Sequence, residues 1–145
     1  MAEAGTITVN DDGGGTNPFV VCFGESVDVT TDNNFVLPPS GPLPDMLYLF
    51  YSCAPTGPDP AADPCWTGWF WTGSNFQPTN DGNISGNSAI GNTFIIVPTV
   101  IDNNQANPNG PGIDADGDMC WDINPNDTET FTFLNELVIY LILFI

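Results

Sequence analysis

Met46–Trp71 reads MLYLFYSCAPTGPDPAADPCWTGWFW, and its three parts decide the fold. Met46 to Tyr51 are apolar or aromatic at every position. A half-buried strand alternates, so an unbroken apolar run predicts a strand that is central in its sheet or covered by something else on its second face. The middle part, Ala54 to Pro64, carries four prolines and a glycine and cannot continue a ladder, so it reads as a loop. Cys53 and Cys65 bracket it, where a disulfide ties the two ends of a loop. The last part holds Trp66, Trp69, Phe70 and Trp71, the densest aromatic cluster of the chain. It predicts a second strand on which the core centres, with a carbohydrate-stacking platform of Trp66, Trp69 and Trp71 as the alternative.

The same grammar extends in both directions. Thr6 to Val9 is a short strand closed by the loop DDGGG at Asp11 to Gly15. Phe19 to Phe23 and Ser26 to Thr30 follow, the latter with Val27 and Val29 alternating with polar neighbours. Pro38, Pro39, Pro42 and Pro44 enforce an extended connection. Asn75 to Asn92 reads as a polar loop and Thr93 to Ile101 as a strand in which Pro98 marks a bulge or an edge. Asp102 to Gly112 is a second long loop. Cys120 to Ile123 and the alternating Glu129 to Phe133, with Phe131 and Phe133 inward, complete eight to ten strands without a convincing helix. The expected class is all-β, a disulfide-stapled β-sandwich of immunoglobulin-like type. Its domain spans 1–136, and 137–145 forms a separate hydrophobic strand.

Charge removes more functions than any motif adds. The 145 residues include 18 Asp and Glu and no Lys, Arg or His, a formal charge of -18, where an average domain carries roughly fifteen or more basic residues. Nucleic acid is excluded as a partner, since nothing can neutralise phosphate. Imidazole general bases, Schiff-base lysines and Ser-His-Asp or Cys-His nucleophiles are excluded with it. Lysine isopeptide staples are excluded too, so a polymer of this chain is non-covalent or disulfide-linked. Hydrophobic residues at 41% against 12% charged residues separate this acidity from disorder and suffice for one core. Catalysis by a carboxylate pair would need a spacing that nothing in the sequence identifies, and we expect no enzyme.

Four cysteines allow three pairings. The loop context points to Cys53–Cys65, which leaves Cys22 in FVVCF and Cys120 in GDMCWDI as a sheet-to-sheet bridge; buried thiols are the alternative. Zinc is not expected without His or a C-x-x-C spacing. Paired cysteines imply an oxidising, extracellular or cell-surface location, and MAEAG shows no signal peptide, so a leader was removed or replaced by an initiator Met.

Three further features carry functional expectations. Asp114, Asp116 and Asp118 occur as DADGD, with Asp122 nearby, three hard oxygen donors on one turn and a candidate calcium site; Met119 and Pro125 stand where an EF-hand loop has Gly and the bidentate Glu, and a solvated acidic turn is the alternative. Asn83-Ile-Ser85 and Asn126-Asp-Thr128 match the glycosylation sequon. Leu137, Val138, Ile139, Tyr140, Leu141, Ile142, Leu143, Phe144 and Ile145 form an apolar run of nine, too short for a transmembrane helix. As a strand it must be buried on both faces, in its own sandwich or by donation to a neighbouring subunit, with a truncated end of a longer protein as the third alternative; whether this strand, the Thr6–Val9 strand or neither is exchanged stays open.

Together the stretches AGTITVND, VCFGESVDVTTDN, LYLFYSCAP, DPCWTGWFWTG, GNTFIIVPTVID and DADGDMCWDI resemble the Ig-like domains of large Bacteroidota surface proteins, of the kind exported by type IX secretion that includes gliding-motility adhesins. The resemblance covers about Ala4 to Phe133. It implies a secreted β-sandwich with paired cysteines, used in adhesion or surface architecture, and it transfers no active site. The expected function is a structural subunit of a pilus-like extracellular filament or surface appendage, with copies of itself as partners. The alternative is an adhesin module in which the tryptophans and a calcium-bearing acidic loop meet a glycan or another surface protein.

Overall fold

A computed structural model describes residues 2–11, 15–37, 44–81, 93–102 and 121–137. Among the described residues nine strands follow one another: β1 Ile7–Asp11, β2 Phe19–Val21, β3 Val27–Thr31, β4 Pro44–Tyr51, β5 Trp66–Thr72, β6 Asn75–Phe76, β7 Thr93–Asp102, β8 Trp121–Ile123 and β9 Glu129–Phe133. One 3₁₀ turn, Pro60–Ala62, lies between β4 and β5. The class is all-β, as the composition predicts. Among the described residues, no helix is long and apolar enough to cross a membrane.

The strands form a three-stranded sheet in the order β1-β3-β6 and a larger sheet in the order β2-β9-β7-β4-β5, with β8 also pairing β7. All pairings are antiparallel except β2 with β9. One apolar cluster joins the two sheets. Ile7, Val27, Val29 and Phe76 from the small sheet meet Met46, Tyr48, Phe50, Phe94, Ile96, Phe131 and Phe133 from the large one. The Phe76 ring sits edge-on to Phe50 at 5.3 Å between centroids, and Phe131 stacks on Phe19 at 5.2 Å.

The apolar run of β4 is explained by its place. It lies between β7 and β5, and both its faces are packed. Met46, Tyr48 and Phe50 belong to the core between the sheets. Leu47, Leu49 and Tyr51 point the other way, into a second cluster with Cys65, Val97, Ile101 and Ile123. Part of that second cover is the Cys53–Cys65 loop, whose disulfide forms as expected, with Cα atoms 5.2 Å apart. Residues Pro55 to Pro58 of the loop approach Ile123 and Pro125 around an open cavity of about 320 Å³.

Three expectations need correction. The core does not centre on the tryptophans: β5 is the last strand of its sheet, and the most deeply buried rings are Tyr48, Tyr51, Phe131 and Phe133. The polar stretch from Asn75 is not all loop, because Asn75–Phe76 pairs β3 and Phe76 is buried. Pro98 marks neither an edge nor a bulge: β7 is internal, and its register with β4 runs unbroken through Tyr48↔Pro98. Pro98 accepts a hydrogen bond from Asn124 N–H at 3.1 Å, so its backbone faces the side where β9 pairing, which covers Thr93–Ile96, gives way to β8 pairing from Thr99. A residue without an N–H loses nothing at that gap.

Candidate functional site

Strand β9 ends at Phe133, and the next residues lead to the apolar segment 137–145. Leu134 N–H donates to Val21 O at 3.0 Å, extending the β2–β9 pairing by one step. Asn80, fully buried, locks this exit. Its Nδ2 donates to Val21 O at 2.9 Å and to Leu134 O at 2.8 Å. Its backbone N–H donates to Glu25 O, and its carbonyl accepts from Gly24 N–H. Gly24, at φ +88°, supplies the left-handed residue that turns the chain from β2 to β3 and ends β2 earlier than Phe23.

Around this lock the surface is apolar. Val20, Phe23 and Leu134 are exposed, and Leu137 is 81% exposed. Cys22, Phe23, Leu134, Asn135, Glu136 and Leu137 line an open cavity of about 620 Å³. A local run of exposed large hydrophobics marks an interaction surface more than it marks chemistry. Of the segment itself, Leu137 is described; Val138 to Ile145 lie outside the described residues.

The tryptophans divide between two faces. Trp71 lies opposite Tyr48 and Trp66 opposite Tyr51, and those two tyrosines belong to different clusters. Trp66 therefore packs on the second face, while Trp69 stacks near Phe94 at 5.4 Å and Trp71 sits edge-on to Phe76 at 5.1 Å. A bulge between the Tyr51 and Leu49 pairings contains Gly68 at φ +83°, and the Thr67 hydroxyl donates to Phe50 O across it at 2.7 Å. A flat three-ring stacking platform is not what this arrangement builds.

The acidic cluster is met only through Asp122, since Asp114, Asp116 and Asp118 lie outside the described residues, as do Cys120, and with it the Cys22–Cys120 pairing, and Asn83. Among the described residues no group of three or more Cys, Asp or Glu is arranged to hold a metal ion. Asp122 Oδ2 accepts from Ala4 N–H at 2.8 Å, Asp127 Oδ2 accepts from Ile7 N–H, and Asn124 Nδ2 donates to Gly5 O. These side chains clamp the outer side of the N-terminal segment, a role invisible to local sequence because the partners are about 120 residues apart. Asn126, the other sequon asparagine, is exposed in the turn that carries the clamp.

Glu129, at the start of β9, is the one ill-placed carboxylate of this region. Burial, and then repulsion from Asp127, push its carboxyl above the ordinary range, and its Oε2 is buried without a partner among the described residues. A group whose folded pKa is raised penalises the fold once it ionises, so the penalty is absent below pH 4.5 and enters as pH rises above it. Glu129→Gln should therefore raise the melting temperature at pH 7, with the gain disappearing below about pH 4.5. Paired thermal melts at the two pH values check this, and an equal effect at both would refute it.

No protein-family model, curated protein or solved structure matches this chain.

Proposed function

We propose that the chain is a non-catalytic structural subunit of an extracellular filament or surface appendage, an Ig-like sandwich whose copies are joined by donation of the apolar strand 137–145. The observation that carries this reading is the exit of β9. Leu137, the first residue of the apolar run, stands 81% exposed beside exposed Val20, Phe23 and Leu134, so the run starts away from the core of its own sandwich. Burying its large side chains on both faces would supply on the order of 10 kcal/mol before ordering costs, at about 1.5–3 kcal/mol each.

Copies that each carry a formal charge of -18 repel one another, and screening over a Debye length of about 8 Å at physiological salt leaves only near contacts costly. Assembly should be eased by salt and by divalent cations such as calcium, for which the carboxylates of Asp114, Asp116 and Asp118 are suitable donors. The split of the tryptophans over two faces supports assembly over glycan stacking.

Deleting Leu137–Ile145 tests the reading. Negative-stain microscopy and sedimentation of the full chain should show polymer, and the deletion should leave folded monomers with an unchanged far-ultraviolet spectrum. Polymer that survives the deletion, or that dissolves on adding calcium, would count against it.

A further inference from the structure

Every sheet has two edges, and an unprotected edge is where a foreign strand adds. The small sheet is blocked at the start of one edge and very short at the other. On the outer side of β1, the N–H groups of Ala4 and Ile7 are taken by Asp122 and Asp127, and the strand ends in Asp11. On the other side, β6 is two residues long, and Trp71 Nε1 donates to its Asn75 O at 2.9 Å.

In the large sheet, β2 is three residues long. Its Val21 O accepts from Leu134 N–H on the β9 side, so within the strand Val20 alone turns its backbone outward, and the Glu25 carboxylate takes the N–H of Cys22 at 2.8 Å. The remaining edge is β5, seven residues long. Its first half is closed on itself, since Trp69 N–H donates to Thr67 Oγ1 and Trp69 O accepts from Trp66 Nε1. Its second half is open. Gly73 N–H donates inward to Met46 O at 2.8 Å, so strand alternation turns the backbone of Trp71 inward and that of Phe70 and Thr72 outward. Among the described residues no hydrogen bond reaches that outward backbone, and the Phe70 and Trp71 side chains flanking it are 39% and 45% exposed.

Charge singles out the same strand. Strands β1, β3, β4, β7, β8 and β9 each contain Asp or Glu, and the uncharged β2 and β6 are three and two residues long. Trp66–Thr72 is the one described strand longer than three residues without a carboxylate, and the apolar segment 137–145 has none either. In a chain without cations, contact between copies avoids like-charge repulsion where neither side carries charge.

We propose that the outer edge of β5, at Phe70 to Thr72, is the acceptor for strand 137–145 of a second copy of this chain. Main-chain hydrogen bonds to Phe70 and Thr72 supply the pairing, and the apolar side chains of the incoming strand cover Trp71 on one face and Phe70 on the other. This inference rests on the assembly reading above.

The full chain carrying Thr72→Pro tests it, because proline removes an outward N–H and no ladder bond; Phe70→Glu, at an exposed side chain, is the second variant. Both should fold as the parent does by circular dichroism and raise the critical concentration for polymer by about tenfold or more. In the parent, assembly should shift tryptophan emission to the blue and protect it from acrylamide as Trp71 is covered. Val20→Pro, on the outer side of β2, should leave the polymer intact. Polymer that is lost on deleting 137–145 yet unaffected by either β5 variant would overturn the β5 assignment and leave strand donation standing. Loss of polymer with Val20→Pro alone would move the acceptor to β2, and polymer that survives the deletion itself would remove the reading on which the inference rests.

Discussion

Asn80→Asp should unfold most of the domain at neutral pH, the largest effect we expect from exchanging one side-chain group. Asn80 is fully buried, and both partners of its Nδ2 are carbonyl oxygens, Val21 O and Leu134 O. That leaves one orientation of the amide, with two N–H donors facing two acceptors. The substitution sets a carboxylate oxygen where the donors stood. It faces two carbonyl oxygens, and the chain has no Lys, Arg or His side chain to offset it. Burying such a charge costs several kcal/mol, against a total stability of about 5–15 kcal/mol for a domain. Asn80→Ala is the milder control. Val21 O keeps Leu134 N–H while Leu134 O loses its donor, a cost of about 1–3 kcal/mol. The introduced carboxyl has a raised folded pKa, so its penalty is present at pH 7 and fades as pH falls and it protonates, when it can donate one of the two bonds again. Thermal melts should therefore rank parent, Asn80→Ala, Asn80→Asp at pH 7, with the last two converging in acid. An Asn80→Asp protein melting within a few degrees of the parent at pH 7 would show that the lock is dispensable.

Neither Asn80 nor β6 was legible in the sequence, and the reason is physical. Phe76 is a lone apolar residue in a polar stretch, so no alternation announces a strand; it is buried because Val29, 47 positions earlier, lies opposite it. Asn80 looks like every other loop asparagine, and its value comes from strand ends 59 and 54 residues away. What was legible rested on local periodicity. The alternation of Val27 and Val29 and of Phe131 and Phe133 appears as buried positions in β3 and β9, and the unbroken run Met46–Tyr51 appears as a central strand packed on both faces.

The Trp66–Trp71 cluster shows where such reasoning overreaches. Aromatic density suggests depth, yet β5 ends its sheet among the described residues, and the Gly68 bulge turns its rings to different sides. Asp122, the described member of the candidate cation site, accepts from the backbone N–H of Ala4. In a chain without Lys or Arg, main-chain N–H groups are the strongest donors available to carboxylates. Asp32 follows the same economy with hydroxyls: donation from Thr6 and then Thr8 holds its carboxyl below the ordinary range. Acidic residues thus act as caps for edges and turns where another protein would use ion pairs.

Removing the Cys53–Cys65 disulfide, by replacing both cysteines with serine, should cost about 3 kcal/mol from the freed loop and lower the melting temperature by roughly 10 °C for a domain of this size. The loss should concentrate on the second face of the large sheet. Cys65 and Trp66 pack there against Leu49 and Tyr51, and Tyr51 is fully buried. At neutral pH the loop keeps a second tether. Asp63 accepts from Thr56 N–H at 2.6 Å and from Cys65 N–H at 2.9 Å. Burial raises the Asp63 carboxyl, but hydrogen bonds led by those from Cys65 and Thr56 outweigh it and hold it below its ordinary 3.8. A depressed folded pKa stabilises above the unfolded value and stops doing so as pH falls through the folded one. The serine variant should therefore stay folded at pH 7 with its loop in place, then hold the loop less and less as pH falls below 3.8 and through the lower folded value, while the disulfide-bonded parent keeps it. Amide hydrogen exchange at Ser52, Thr56 and Trp66 reads this directly: slow in both proteins at pH 7 after correction for intrinsic rates, and faster in the variant alone as acid protonates Asp63. Equal protection in acid would mean that packing, and neither the disulfide nor Asp63, holds the cover on this face.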